Sequence, residues 1–194
     1  MLINEDMLRE MVYIEHSQFE TRETKILREN RRLYSIRDKY DIFLSHSYLD
    51  KDLVYSLVDL FNKTGYSIYV DWMVDKELDR SNVNANTAHR LRSRMQSCNG
   101  LAYVSTTNIS HSKWCPWELG YVDGNINGRC AILPIVKTSG ESFKGQEYLG
   151  LYPYIDWEKS RENKKHEFWV NDPNDNRKYV ALSTWLSGTE PFYH

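Results

Sequence analysis

From residue 40 onward, short apolar runs alternate with segments whose apolar side chains recur at helical spacing. The apolar runs predict buried strands at residues 40–44, 66–70, 100–104, 130–136 and 151–156. Helical patterns separate several of these runs, at residues 50–63, 85–96 and after residue 112. This alternation predicts right-handed βαβ units and therefore an α/β fold with a doubly wound, five-stranded parallel sheet.

The first 38 residues contain no glycine or proline and carry a thin apolar stripe in a charged background, formed by Met7, Met11 and Ile14. The stripe predicts a helical N-terminal extension over residues 1–38, ahead of a main domain at residues 39–194. Such a stripe packs either on its own domain or on another subunit, and we slightly favour its own domain.

Towards the C-terminus the pattern weakens. Residues 158–178 are polar and predict an exposed insertion, and residues 179–186 predict a closing helix. Pro153 indicates that the fifth strand lies at an edge of the sheet.

Charge and cysteine content narrow the function classes. There are 25 basic and 27 acidic residues, a net charge of −2, so no basic field indicates nucleic acid and no polybasic block indicates a membrane. The three cysteines include no C-x-x-C pair, which favours a reducing compartment and argues against zinc, so no metal site is predicted. The charged N-terminus and the absence of a long apolar stretch predict a cytoplasmic protein.

Polar residues follow the first three predicted strands: Ser45-His46-Ser47, Asp71-Trp72 and Ser105-Thr106. Doubly wound sheets bind ligands outside the carboxyl ends of their strands, at the point where the strand order reverses. The stretch 112–120, with two tryptophans flanking one acid, begins a few residues after the third strand. Glu118 is therefore predicted to face the ligand crevice.

On a helix, Trp114 and Glu118 stand four residues apart on one face. A carboxylate beside an indole suits a cationic or aromatic ligand. On its own, the local pattern favours an amphipathic helix with Trp114, Trp117 and Tyr121 in the core and Glu118 in solvent; the position after the third strand supports the ligand-facing alternative. Asp50 is a candidate N-cap, and Arg90, Arg92 and Arg94 are expected to form a solvated helix face.

Several functions common in this fold lack their motifs. The turn after the first strand has no G-x-G-x-x-G dinucleotide motif and no phosphate-cradling glycines. A phosphoacceptor aspartate is missing after the third strand, where Ser105-Thr106 stands, and no G-x-S-x-G elbow is present.

Three segments resemble the TIR domain family in order and spacing, over roughly residues 39–157: residues 40–47 (YDIFLSHS), 65–71 (GYSIYVD) and 112–119 (SKWCPWEL). The resemblance implies a flavodoxin-like fold and a BB loop at residues 72–84 that acts in assembly and in gating the site. It extends to stand-alone bacterial TIR proteins such as the TIR component of Thoeris antiphage systems. In enzymatic members the acid of the third segment cleaves NAD⁺, which makes Glu118 the predicted catalytic residue.

The predicted substrate-binding residues surround this acid: Ser45, His46, Ser47, Asp71, Trp114 and Lys76. Each has an ordinary alternative. The three residues after the first strand suit a turn, Asp71 a loop-opening cap, Trp114 the core and Lys76 a solvated position.

The predicted function is cleavage of NAD⁺, as substrate and without a cofactor, to an ADP-ribose-derived signalling nucleotide in antiphage defence. Nicotinamide leaves without needing a proton, so one carboxylate beside the oxocarbenium-like ribose can suffice. The sequence does not select among water, which gives ADP-ribose, and another hydroxyl or a nitrogen, which gives a cyclic or conjugated product. The implied partners are other TIR domains and an effector that senses the product. The alternative is a non-catalytic TIR adaptor that acts through assembly.

Overall fold

The computed structural model describes residues 1–14, 39–75, 84–125, 128–141 and 147–194. The helices are α1 (Glu5–Ile14), α2 (Lys51–Lys63), α3 (Asp71–Val74), α4 (Ala85–Gln96), α5 (Trp114–Asn125) and α6 (Leu182–Leu186). The strands are β1 (Ile3–Asn4), β2 (Tyr40–Ser45), β3 (Ile68–Tyr69), β4 (Cys98–Ser105), β5 (Cys130–Val136), β6 (Tyr154–Lys159), β7 (His166–Asn171), β8 (Lys178–Ala181) and β9 (Phe192–Tyr193). Short 3-10 turns occupy Tyr48–Asp50, Ile109–His111 and Glu147–Leu151.

The five predicted strands are β2 to β6, and they pair in parallel in the order β3-β2-β4-β5-β6. The chain winds outward from β2 in one direction to β3 and in the other direction through β4, β5 and β6. The strand order therefore reverses between β2 and β4, and the carboxyl ends of these two strands flank the crevice. The predicted doubly wound, flavodoxin-like arrangement is confirmed for these five strands, but in the described part of the chain they belong to a larger sheet of nine strands.

Alternate side chains of each central strand pack into two separate cores, one on each face of the sheet. Ile42 and Leu44 of β2 join α1 and α2 on one face, whereas Phe43 joins α4 and α5 on the other. This alternation explains why β2 reads as a continuous apolar run, since both of its faces are covered by helices.

The first residues of the chain pack on the domain itself. Ile3 and Leu8 are completely buried, and β1 pairs in parallel with the end of β5. Met7 lies against the same core. The expectation that the apolar stripe docks on its own domain is confirmed at Met7, while the boundary predicted at residue 38 falls outside the described residues.

The C-terminal region differs from the expected exposed insertion. β7 pairs antiparallel with β6 from Tyr154↔Asn171 to Lys159↔His166, and Phe168 stacks on Phe61 of α2 at 4.1 Å between ring centroids. Phe168 and Val170 are buried, whereas Glu167 and Trp169 on the opposite face of β7 are only half-buried, so a segment that the sequence predicted to be exposed forms a strand with one face in the core.

Two further expectations near the C-terminus were wrong. The fifth strand is not an edge, because β7 covers it, and Pro153 lies just before β6. The predicted closing helix at 179–186 begins only at Leu182, because Tyr179 and Val180 pair with β7 as part of β8. No helix in the described ranges has both the length and the apolar character needed to cross a bilayer.

Gly100 of β4 tests how closely α6 packs on the sheet. A Cβ atom there would lie 3.0 Å from Leu186 Cδ2 and 3.2 Å from the Arg129 carbonyl oxygen. We expect Gly100→Val to lower the free energy of unfolding by about 1–3 kcal/mol through overpacking, measured by urea denaturation.

Gly120 of α5 provides the control, because a Cβ atom added at this position would meet no atom within 4 Å apart from its chain neighbours and the backbone of its own helix. Gly120→Ala should be neutral or should stabilise the helix by up to about 1 kcal/mol. Equal stability of Gly100→Val and the wild-type protein would contradict this packing.

Candidate active site

Glu118 lies at the carboxyl ends of the central strands, as predicted, but it is not exposed to solvent. The Ser45 hydroxyl, at the end of β2, donates a hydrogen bond to Glu118 Oε2 at 2.6 Å. Both side chains have an exposed fraction of 0%. The hydrogen bond orients the carboxylate within the protein interior.

Glu118 is held in this position by the helix on which it stands. α5 packs its apolar side chains, including Cys115, Leu119 and Val122, into the core between β4 and α4. The Cys115 thiol donates to the backbone carbonyl of His46 at 3.1 Å, so the same helix also grips the end of β2.

His46 is buried and has a partner at each ring nitrogen. Nδ1 lies 2.9 Å from the Leu44 carbonyl oxygen, and Nε2 lies 2.9 Å from the indole nitrogen of Trp72. Trp72 follows β3, so this hydrogen bond connects two neighbouring strand ends.

The next polar residues hold the loops together. Ser47 accepts a hydrogen bond from the Leu49 backbone at 3.4 Å, a local turn interaction. Asp50 is buried at the N-cap position of α2 without a side-chain capping bond; it accepts instead from Thr106 Oγ1 and Asn108 Nδ2, each at 2.6 Å. This clamp joins the loops after β2 and β4 across the reversal of strand order.

Trp114 lies in the core beside α4, with 8% of its surface exposed. Its ring packs edge-on against Trp117 at 5.3 Å, and Trp117 stacks on Tyr121 at 5.9 Å. The half-buried rings of Trp117 and Tyr121 are the more accessible ones. The substrate-binding role of Trp114 stays a prediction.

Asp71 is the first residue of α3 and is buried, with an exposed fraction of 2%. It opens a short helix, where the sequence predicted the start of a polar loop. Lys76 lies outside the described residues. The predicted substrate-binding roles of Ser45, His46, Ser47, Asp71 and Lys76 also stay predictions.

An ion pair anchors the end of α3. Arg94 of α4 donates from Nε and Nη2 to the two oxygens of Asp75, both at 2.8 Å, and the Tyr69 hydroxyl donates to Asp75 Oδ2 at 2.8 Å. Burial alone would raise the pKa of Asp75, but the hydrogen bonds from Arg94 and Tyr69 outweigh it and lower that pKa below its ordinary value. Arg94 is therefore not the solvated residue expected from the sequence.

Sequence reasoning missed Trp72, Asn108 and Asp75 as parts of this site. Their partners come from other segments of the chain, and only the strand-end position of Trp72 signalled its role. Within the described ranges, no group of three or more His, Cys, Asp or Glu side chains could hold a metal ion. The thiols of Cys98, Cys115 and Cys130 are buried.

Comparison with known proteins places this arrangement in context. The family model described as "TIR domain" matches residues 42–169. A protein from Bacillus cereus (strain MSX-D12), named "Probable 3' cyclic ADP-D-ribose synthase ThsB'", is 46% identical over 162 residues, which cover 83% of this chain and 82% of that protein.

Two further matches are more distant. "Putative cyclic ADP-D-ribose synthase TIR2" from Cytobacillus dafuensis is 37% identical over 83 residues, 42% of this chain and 22% of that protein. The TIR domain of the Toll-related receptor TRR-2 from Hydra magnipapillata has a TM-score of 0.42 and 16% identity, covering 61% of this chain and 85% of that one.

The Asp75–Arg94 pair predicts a stability loss in acid. Because folding lowers the pKa of Asp75, its contribution is complete above the ordinary aspartate value near 3.9 and disappears as the pH falls through the lower folded value. We expect Asp75→Asn to lower the free energy of unfolding at pH 7 by about 1–3 kcal/mol. The difference from wild type should shrink as the pH falls below about 4.

The control is Asp59→Asn, which removes a pair with Lys63 at 2.9 Å on the surface of α2, where the Lys63 side chain is 50% exposed. Asp59→Asn should lower the free energy of unfolding by less than about 1 kcal/mol. Urea denaturation from pH 7 to pH 2.5 measures both variants, and a pH-independent deficit for Asp75→Asn would contradict the ion-pair explanation.

Proposed function

The chain belongs to the TIR domain family, and on that premise we propose that it cleaves NAD⁺ between nicotinamide and ribose, with Glu118 as the catalytic carboxylate. The observation that carries the proposal is the position of Glu118: a buried acid, oriented by Ser45, at the carboxyl ends of β2 and β4. This edge is where doubly wound sheets bind their ligands.

One carboxylate is sufficient for the first step. The glycosidic electron pair leaves with nicotinamide, which departs neutral, and positive charge develops on the ribose. At about 4 Å and an effective dielectric near 20, a carboxylate stabilises that charge by about 4 kcal/mol. This energy corresponds to a rate increase on the order of a thousandfold.

We propose that the second step closes a ring. Two relatives are named as cyclic ADP-D-ribose synthases, and one of them shares 46% identity over most of this chain. A hydroxyl of the same molecule attacks the ribose carbon and releases its proton, so NAD⁺ gives cyclic ADP-ribose, nicotinamide and a proton. A closed, dry site favours this route because it excludes water as the competing attacker. No cofactor takes part in either step.

The product is proposed to be a signal that a separate effector reads, in bacterial antiphage defence. This part of the proposal rests on the likeness to the stand-alone TIR components of such systems. We propose a cytoplasmic location for the protein together with it.

Glu118→Gln tests the catalytic role. The amide keeps the shape and can still accept from Ser45, but it lacks the charge, so we expect NAD⁺ turnover to fall on the order of a thousandfold with folding retained. Chromatography with mass spectrometry measures nicotinamide and names the other product.

The matched control is Glu190→Gln. Glu190 is an exposed acid that pairs at 2.7 Å with Arg129, the residue before β5, and so lies at the amino ends of the strands, opposite to Glu118. The Glu190→Gln variant should turn over NAD⁺ like the wild-type protein. A folded Glu118→Gln protein with wild-type turnover would remove Glu118 from the mechanism, and a wild-type protein that leaves NAD⁺ intact at high concentration would favour the adaptor function.

Self-assembly is proposed to support activity. Tyr48 and Leu49, directly after the site residue Ser47, are 68% and 63% exposed, and a second TIR domain could cover them. Residues 1–14 do not supply this contact through Ile3 or Leu8, because both are buried in their own domain.

We therefore expect specific activity to rise with protein concentration from nanomolar to high micromolar, and Leu49→Lys to weaken that rise. Leu151→Lys is the control. Leu151 is 77% exposed, but it lies in the connection between β5 and β6 and not beside Ser47. Turnover assays paired with analytical ultracentrifugation measure both effects. A flat specific activity would rule out assembly as a requirement.

A further inference from the structure

The two hydrogen bonds of His46 define its chemical state. An indole nitrogen can only donate, so His46 Nε2 must accept from Trp72. A carbonyl can only accept, so Nδ1 must carry the proton that points at Leu44. His46 is therefore a neutral imidazole in a single tautomer, assigned from its partners.

His46 lies between two groups that hold Glu118. Ser45, its neighbour on β2, donates to the Glu118 carboxylate at 2.6 Å. The carbonyl of His46 accepts from Cys115, three residues before Glu118 on α5, at 3.1 Å. A shift of His46 would therefore displace the hydroxyl and the helix that together place the carboxylate.

The indole of Trp72 is itself held in place. Its ring packs edge-on against Tyr55 of α2 at 5.0 Å, and the Lys51 ammonium lies 5.3 Å from the ring centroid. At the end of the same short helix, Asp75 is fixed by Arg94 and Tyr69. The N–H of Trp72 is thus directed at His46 by a ring that packs against α2 and by a helix whose end is hydrogen-bonded to β3 and α4.

We propose that Trp72 is a positioning residue for the NAD⁺ reaction. Its N–H fixes His46 in the Nδ1–H tautomer, and His46 in turn fixes the end of β2, from which Ser45 orients Glu118. This role rests on the proposed function of Glu118 and involves no contact between Trp72 and substrate.

Trp72→Phe isolates the N–H, because phenylalanine keeps an aromatic ring against Tyr55 and removes only the donor and part of the ring. We expect kcat for NAD⁺ to fall roughly five- to thirtyfold, the size of one lost buried hydrogen bond, with KM changed less than about twofold. A raised KM at unchanged kcat would instead show a binding contact and overturn the positioning role.

Trp169→Phe is the matched control. Trp169 also donates its indole N–H, to the Glu158 carbonyl at 3.1 Å, but it lies on β7, three strands beyond β4. Its kinetics should equal those of wild type.

Nuclear magnetic resonance of ¹⁵N-labelled histidine tests the state of the ring independently of activity. The His46 signals of wild type should show a protonated Nδ1 and an accepting Nε2, and Trp72→Phe should shift the Nε2 resonance while Trp169→Phe leaves it in place. An unchanged His46 spectrum in Trp72→Phe would overturn the proposal.

A double-mutant cycle shows whether Trp72 acts through His46. In a His46→Gln background, Trp72→Phe should cause little further loss of kcat, whereas additive losses would show an independent role for Trp72 and overturn the proposal. If wild type cleaves NAD⁺ and Trp72→Phe keeps its kcat, only the positioning role fails. If wild type leaves NAD⁺ intact, the proposed function fails, and the positioning role fails with it.

Discussion

The hydrogen bond between Ser45 and Glu118 joins residues 73 positions apart and brings a carboxylate into a region without solvent. Burying an acid is costly unless its oxygens are held by donors. The end of β2 and the first turns of α5 must therefore keep their relative position. Around this pair, Cys115, the buried imidazole of His46 and the Asp50 clamp fix the same strand end from other directions. The architecture of the site follows from this one constraint.

The closed surroundings of Glu118 fit a reaction whose transition state carries positive charge. A low local dielectric strengthens the attraction between a carboxylate and an oxocarbenium-like ribose, and it also removes the water that would compete with ring closure. If Glu118 acts as proposed, its burial requires neighbouring side chains to move before NAD⁺ reaches it, so access to the acid is a step separate from bond cleavage.

The central part of the fold follows from the sequence because its signals are local. Both faces of β2, β4 and β5 are covered by helices, so each strand is a plain apolar run, and the strand-end rule then places Glu118 close to Ser45. The sequence-based predictions were wrong where the structure of a residue depends on partners elsewhere in the chain. Arg94 resembles any charged helix residue until Asp75 lies beside it, and Phe168 and Val170 make a strand only because Phe61 and β6 are there to receive them.

The antiparallel strands beyond β6 extend the domain past the end of the family match. The family match ends at residue 169, within β7, yet Val170 of that strand and Val180 of β8 are buried in the same core as α1 and α2. A chain cut after residue 169 would lose the last two of the six residues of β7 and leave the β6–β7 hairpin without its neighbour β8, exposing backbone groups and apolar surface to other molecules. The apolar core of this domain therefore extends beyond the region that the family model matches.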